Sequence, residues 1–146
     1  FSKKDFSRLH PYGSLGKKLS TKVKDIMYKG SEIPIVYPKT SLAKTIVEMN
    51  LKGLGLCLIS SKQMILNGLF TDGDLRRSIS KIMYKKQTEI QNLMTLSPRT
   101  IHEGDLANNA YYIMNRYKIN ALPVVNNQYK IVGVINMHTS DRVKTG

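Results

Sequence analysis

Cysteine is nearly absent from this chain: Cys57 is the only one in 146 residues. A lone thiol cannot form an intrachain disulfide, so no disulfide framework is expected and nothing points to an oxidising compartment. Cys57 lies in the apolar run 54–59 with no histidine near it in sequence, which favours a small buried side chain over a reactive thiol. Acidic residues are also scarce, 10 against 23 Lys and Arg, leaving a formal charge of +13. Long apolar runs are missing too. No stretch approaches the roughly 20 residues of a membrane-spanning helix, and no signal peptide opens the sequence. A cytoplasmic protein without a membrane partner is the expectation. The sequence begins at Phe1 rather than methionine, which fits a fragment or a processed chain with something missing upstream.

The basic excess invites a nucleic-acid reading, but its distribution argues against one. Tyr28, Tyr84 and Tyr117 lie near lysines, yet no spacing repeats among them, and no glycine-rich or zinc-finger pattern appears. Stacking platforms and phosphate-tracking grooves need such organisation. A solvated, lysine-rich surface with a general attraction for anionic ligands is expected, and no nucleic-acid partner. A phosphate-binding loop is absent, since no glycine-rich run leads into Lys-Ser/Thr. Asp72-Gly73-Asp74 lacks the further oxygen ligands and downstream glutamate of a calcium loop, so no metal site is expected. The three histidines, His10, His102 and His138, have no matched nucleophile or carboxylate dyad at recognisable spacing. The chain by itself is expected not to be catalytic and to require no cofactor.

What the sequence does contain is a repeat. "VKDIM" at residues 23–27 is echoed by "IQNLM" at 90–94, 67 residues later. The pairs Met49-Asn50 and Met114-Asn115 lie 65 apart, as do Gly68 in "MILNGLF" and Gly133 in "KIVGVI". Each half reads as a short helical lead-in, a strand, a helix over 41–52 or 104–117, two apolar strands split by a polar turn, and a second helix starting at Thr71 or Asn136. Ser41 is the candidate N-cap of the first long helix, and Asp105 an acid in the first turn of its counterpart. The fold class is α/β (α+β): tandem β-α-β-β-α units packed sheet to sheet as a pseudo-twofold pair around a shared core. The expected division is a linker at 1–20 and repeats at 21–84 and 88–146. A chain of this length buries about 70% of its unfolded surface, enough for such a core without staples.

"GLFTDGDLRR", residues 68–77, supports two readings that do not exclude each other. Thr71 can cap a helix and Asp74, three residues on, completes a Thr-x-x-Asp capping pattern, with Asp72 also favoured by the helix dipole. The same hydroxyl and carboxylate can grip the vicinal hydroxyls of a ribose. Gly73 leaves space for close approach, and Arg76 or Arg77 can answer phosphate charge.

The strand ending in Gly-apolar-apolar-Thr-x-x-Asp, within a duplicated β-α-β-β-α unit, resembles the CBS domain, and the duplication resembles the CBS pair or Bateman module. The resemblance covers residue 23 to the C-terminus. It implies that Thr71 and Asp74 bind ribose and that the base packs near Ile33 and Pro34. At the matching positions of the second half, Thr71 becomes Asn136 and Asp74 becomes Thr139, so one competent nucleotide-type site is expected, on the first half. His138 reads as a surface or cleft histidine. CBS pairs commonly associate in twos, so a homo-oligomer is expected as well.

The segment before the repeats reads blindly as a linker. "HPYGSLGKKL", residues 10–19, is also similar to the junction of bacterial arabinose-5-phosphate isomerases, where a sugar isomerase (SIS) domain runs into a CBS pair through His-Pro-Gly-Gly-x-Leu-Gly. Tyr12 stands at the usual first glycine. This resemblance implies a parent enzyme that interconverts D-ribulose 5-phosphate and D-arabinose 5-phosphate for 3-deoxy-D-manno-octulosonate (Kdo) synthesis, serving lipopolysaccharide or capsule. His10 would be catalytic only together with the missing SIS domain. The module would then bind a regulatory nucleotide or nucleotide sugar, with CMP-Kdo a candidate as pathway product. The alternative is an assembly module without ligand sensing.

Overall fold

A computed structural model describes residues 20–80 and 85–139. In the first half these form α1 (Val23–Ile26), a 3-10 turn (Gly30–Glu32), β1 (Ile35–Val36), α2 (Leu42–Lys52), β2 (Leu56–Ser60), β3 (Leu66–Thr71) and α3 (Asp72–Ser80). The second half repeats the order with a 3-10 turn (Ile90–Asn92), β4 (Ile101–His102), α4 (Ala107–Tyr117), β5 (Ala121–Val125) and β6 (Ile131–Asn136). Asn136, the expected start of a second helix, instead ends β6, and residues 137–139 make a turn. Residues 140–146 lie outside the described residues, as do residues 1–19 with His10. The fold is mixed α/β, with two three-stranded sheets ordered β1-β2-β3 and β4-β5-β6.

Each sheet pairs its first two strands in parallel and its last two antiparallel. Leu58 faces Leu69 and Ile59 faces Gly68, while Pro123 faces Val134 and Val124 faces Gly133, a constant offset of 65. Both halves bulge at the same point, Ile59/Ser60 and Val124/Val125. Every residue of β2 is buried, as a central strand covered on both faces requires. The polar turns after β2 and β5 close with the same device, Ser61 Oγ accepting from Gln63 and Ile65 N–H and Asn126 Oδ1 from Gln128 and Lys130 N–H.

The lead-in segments are exchanged between the halves. Tyr28 trades backbone hydrogen bonds with Val134 of the second half, at 2.8 and 2.9 Å. Thr95 trades them with Leu69 of the first half, at 2.7 and 3.0 Å. Val23 and Met27 are buried with Ile101, Met114 and Leu122, whereas Ile90 is buried with Leu42, Cys57 and Phe70. The repeated landmarks thus touch one another across the molecule. A methyl carbon added at Gly68 would lie 2.5 Å from Met94 Sδ, and one at Gly133 would lie 2.5 Å from Met27 Sδ and 2.7 Å from the Tyr28 carbonyl. The glycines are needed for this close approach. A middle cluster containing Leu56, Leu58, Leu69, Val125, Ile131 and Val134 joins the two sheets.

Helix starts follow from the same exchange. Ser41 caps α2 as expected, its Oγ accepting from Lys44 N–H at 3.2 Å. Asp105, expected inside the first turn of the other helix, instead precedes it: α4 begins at Ala107, after Leu106. The reason is tertiary. The Asp105 carbonyl accepts from Val23 N–H at 2.8 Å and Ala107 N–H donates to the Thr21 carbonyl at 2.8 Å, so the lead-in backbone does the work of a side-chain cap.

Candidate functional site

Strand β3 delivers Thr71 to the start of α3, where both halves of the capping pattern form. Asp74 N–H donates to Thr71 Oγ1 at 3.1 Å, and Thr71 N–H donates to Asp74 Oδ2 at 3.0 Å. On the other side, Gly53 and Gly55 take φ values of +69° and +82°, turning the chain sharply from α2 into β2. That turn sets the Gly55 carbonyl against α3, where it accepts from Asp72 N–H at 3.3 Å.

The Asp74 side chain is only 11% exposed and is heavily engaged. Besides the Thr71 N–H, it accepts from Arg77 Nη2 on Oδ1 at 2.5 Å and faces the Thr95 hydroxyl at 3.3 Å from each carboxylate oxygen. Thr95 belongs to the exchanged lead-in of the second half, so the site already spans both repeats.

A cavity of about 670 Å³ opens beside these groups, a size suited to a small-molecule ligand. Its first-half wall carries Thr71, Asp72, Asp74, Arg76 and Arg77. Its second-half wall is Thr95, 97–99 and 118–121. Four cations, Arg76, Arg77, Arg99 and Lys118, line it against two carboxylates. The Arg99 guanidinium carbon sits 3.4 Å from the centroid of the Tyr117 ring, which holds one of those cations against the end of α4.

The cavity therefore brings together Thr71, Asp74, Arg76 and Arg77, but it does not include Ile33 or Pro34. Both are buried elsewhere, Ile33 with Leu54, Leu56 and Leu58, while the Pro34 carbonyl accepts from Leu58 N–H at 2.8 Å. The strand registers explain their position. Val36 pairs with Ile59 as Ile101 pairs with Val124, so Ile33 and Pro34 are the counterparts of Pro98 and Arg99. With the lead-ins exchanged, the strand approach that faces Thr71 is the second half's. Thr95, Arg99 and Lys118 were missed for the same reason; the 65-residue offset, applied across the pair, is the signal that could have found Arg99.

The matching corner of the second half closes on itself. Asn136 N–H donates to Thr139 Oγ1 at 2.8 Å, and that hydroxyl and His138 N–H both reach Asn136 Oδ1, at 3.1 and 3.0 Å. Thr139 is fully buried and brings no charge. His138 is exposed. His102 accepts from Gly104 N–H on Nδ1 at 2.9 Å, which fixes Nε2 as the donor to Asn127 Oδ1 at 2.7 Å when the ring is neutral. Burial pushes the Cys57 thiol up to about 12, far from a nucleophile's range. Among the described residues no group of three His, Cys, Asp or Glu could hold a metal ion, and no helix is long and apolar enough to cross a membrane.

A family profile for the CBS domain matches residues 89–139. The chain is 44% identical over 94% of its length to arabinose 5-phosphate isomerase KdsD of Francisella tularensis subsp. tularensis, and spans 42% of that protein. It is 41% identical over 94% of its length to the KdsD of Pseudomonas aeruginosa, again spanning 42% of it. Among solved structures it is similar to CBSX2 in complex with AMP, with a TM-score of 0.75 at 21% identity, covering 86% of this chain and 96% of that one. It is also similar to the CBS domain pair of protein MJ0100 in complex with 5′-methylthioadenosine and S-adenosyl-L-methionine, with a TM-score of 0.72 at 22% identity, covering 86% and 97%.

Proposed function

The chain belongs to the CBS-domain family as a tandem pair, and from that premise we propose that it is the regulatory module of an arabinose-5-phosphate isomerase, binding a nucleotide or nucleotide-activated sugar between its halves. The observation that carries this reading is the cavity that places the Thr71 hydroxyl, the Asp74 carboxylate and four cations around one space. Thr71 and Asp74 take the ribose diol, since a carboxylate offers about four lone-pair positions and a hydroxyl both donates and accepts. The cations take phosphate. Adenosine ligands in the structurally similar CBS pairs support the ligand class, and the KdsD relatives support the parent.

In that parent, a cytoplasmic enzyme, the remaining part would convert D-ribulose 5-phosphate to D-arabinose 5-phosphate for Kdo synthesis, with His10 contributing beside a SIS domain. The two halves share one cavity, so a ligand that binds differently to two arrangements of the pair can bias them, which is the thermodynamic requirement for regulation. A thermal-shift screen of the 146-residue chain against AMP, ATP, CMP, CTP and CMP-Kdo tests the proposal. A ligand binding only the folded state raises the melting temperature once its concentration exceeds the dissociation constant. The expected result is a selective shift with one nucleotide that disappears in Asp74→Ala, each variant being referred to its own ligand-free transition. No shift at millimolar concentration would sink the reading.

A second reading, assembly, has an observation of its own. Val47 and Leu51 stand 65% and 73% exposed one turn apart on α2, and Tyr112, the counterpart of Val47 on α4, is 66% exposed. Apolar side chains in helical register on a surface offer a self-association face. Sedimentation velocity across a concentration series should show a reversible dimer that Val47→Asp with Leu51→Asp disperses. A monomer at all concentrations would remove this reading.

A further inference from the structure

We infer that residues 21–28, the first lead-in, form the output arm of the module and couple occupancy of the cavity to the chain that precedes them. The inference rests on the nucleotide reading and on a parent domain upstream, and it names the element that carries the signal between them. The arm is fastened to the second repeat although it runs directly into the first. Val23 N–H donates to the Asp105 carbonyl at 2.8 Å, Lys24 N–H to the Glu103 carbonyl at 3.0 Å, and Ala107 N–H to the Thr21 carbonyl at 2.8 Å. Tyr28 and Val134 exchange a pair of backbone bonds, and Val23 and Met27 are buried with Ile101, Met114 and Leu122. The arm's own helix, α1, has four residues, far too few to persist without that support. Its order depends on docking, which makes the docked and released arm a two-state element.

The strand that holds the arm also backs the cavity. Asn120 and Ala121 line that space. Ala121 pairs with Asn136 of β6, and the Asn120 carbonyl accepts from Met137 N–H at 3.0 Å. Two residues back along β6, Val134 is the partner of Tyr28, and Gly133 lets Met27 and Tyr28 lie against the strand. Val134, Ile135 and Asn136 are all buried, so this stretch of β6 transmits a shift rather than absorbing it. Tyr28 and Ala121 also pack on the same middle cluster. None of the arm's residues lines the cavity, so an effect of one on the other passes through this contiguous packing. The other lead-in does not serve as an output. Its Thr95 stands in the cavity wall, and the chain before it runs back into the first repeat. A ligand that favours the docked arm is, by linkage, bound more weakly when the arm is released, and by the same factor.

Amide hydrogen exchange of the labelled 146-residue chain, with and without saturating AMP or CMP, follows the arm directly. The nucleotide that binds should slow exchange at Val23, Lys24 and Tyr28 by about fivefold or more, the lower end of ordinary allosteric coupling. Gln63, whose amide donates to Ser61 Oγ in a turn of the first repeat, should exchange unchanged. Titration calorimetry supplies the reciprocal measurement. Met27→Ala removes a buried anchor of the arm. Lys24→Pro deletes one docking donor from an exposed position in the first turn of α1, where proline is tolerated. Both should weaken the same nucleotide, by up to the factor seen in exchange. Met49→Ala truncates a side chain buried with Leu42 and Phe70 of the first repeat and should leave affinity unchanged while the chain stays folded. Suppose the native chain binds a nucleotide but arm exchange does not change, both arm variants bind as the native chain does, or Met49→Ala loses as much as Met27→Ala. Any of these overturns the inference and spares the nucleotide site. Absence of binding by either nucleotide to the native chain removes the site and the inference with it.

Discussion

Asp74 carries two loads at once. It closes the capping box on Thr71 and it presents a carboxylate to the cavity, so its removal acts on stability as well as on binding. Thr71→Ala and Asp74→Ala should each cost about 1 kcal/mol in urea unfolding through the lost cap. Only ligand-dependent stabilisation separates the two roles. Cys57 illustrates a residue whose chemistry is silenced by its surroundings. Its thiol is raised from 9.0 to about 12 chiefly by burial, with the Glu48 carboxylate adding to the shift. The folded state therefore holds its proton where the unfolded chain has lost it, and this stabilising difference is complete below pH 9.0 and lost as pH rises toward 12. Unfolding free energy should decline more steeply above pH 9 in the native chain than in Cys57→Ala; equal slopes would contradict the assigned burial. Both residues were readable locally, because a cap needs only a three-residue spacing and a buried cysteine only apolar neighbours in sequence.

At the scale of elements, the lead-in segments decide how the two repeats become one structure. The repeat was legible in the sequence because its landmarks keep their spacing: the offset of 67 before Tyr28 falls to 65 after it, and the two residues gained there coincide with the 3-10 turn at Gly30–Glu32. The crossing of these segments was not legible, since nothing within a half distinguishes packing on itself from packing on its twin. Asp105 shows the consequence, its carbonyl spent on Val23 and its helix begun two residues later. Gly133→Ala tests the contact. Its methyl group would press on the Tyr28 backbone as well as on Met27, so a loss of about 1–3 kcal/mol is expected from overpacking. A neutral substitution would mean that the lead-in is not held against β6.

For the whole molecule, the exchange places the cavity between the halves rather than within the first. Thr71, Asp74, Arg76 and Arg77 were recognisable from one decapeptide, whereas Arg99 and Lys118 were hidden by more than twenty intervening residues. Ile33 and Pro34 do not line this cavity, because its second wall comes from their counterparts Pro98 and Arg99 in the other repeat. The same geometry gives the account its most direct test. Amide resonances of the labelled chain, followed through titrations with AMP and CMP, report both walls at once. The account predicts that one nucleotide shifts Thr71 and Asp74 together with Thr95, Arg99 and Asn120, saturating at a single concentration. Shifts confined to one half, or an undisturbed spectrum with both nucleotides at millimolar concentration, would contradict a ligand site shared between the repeats.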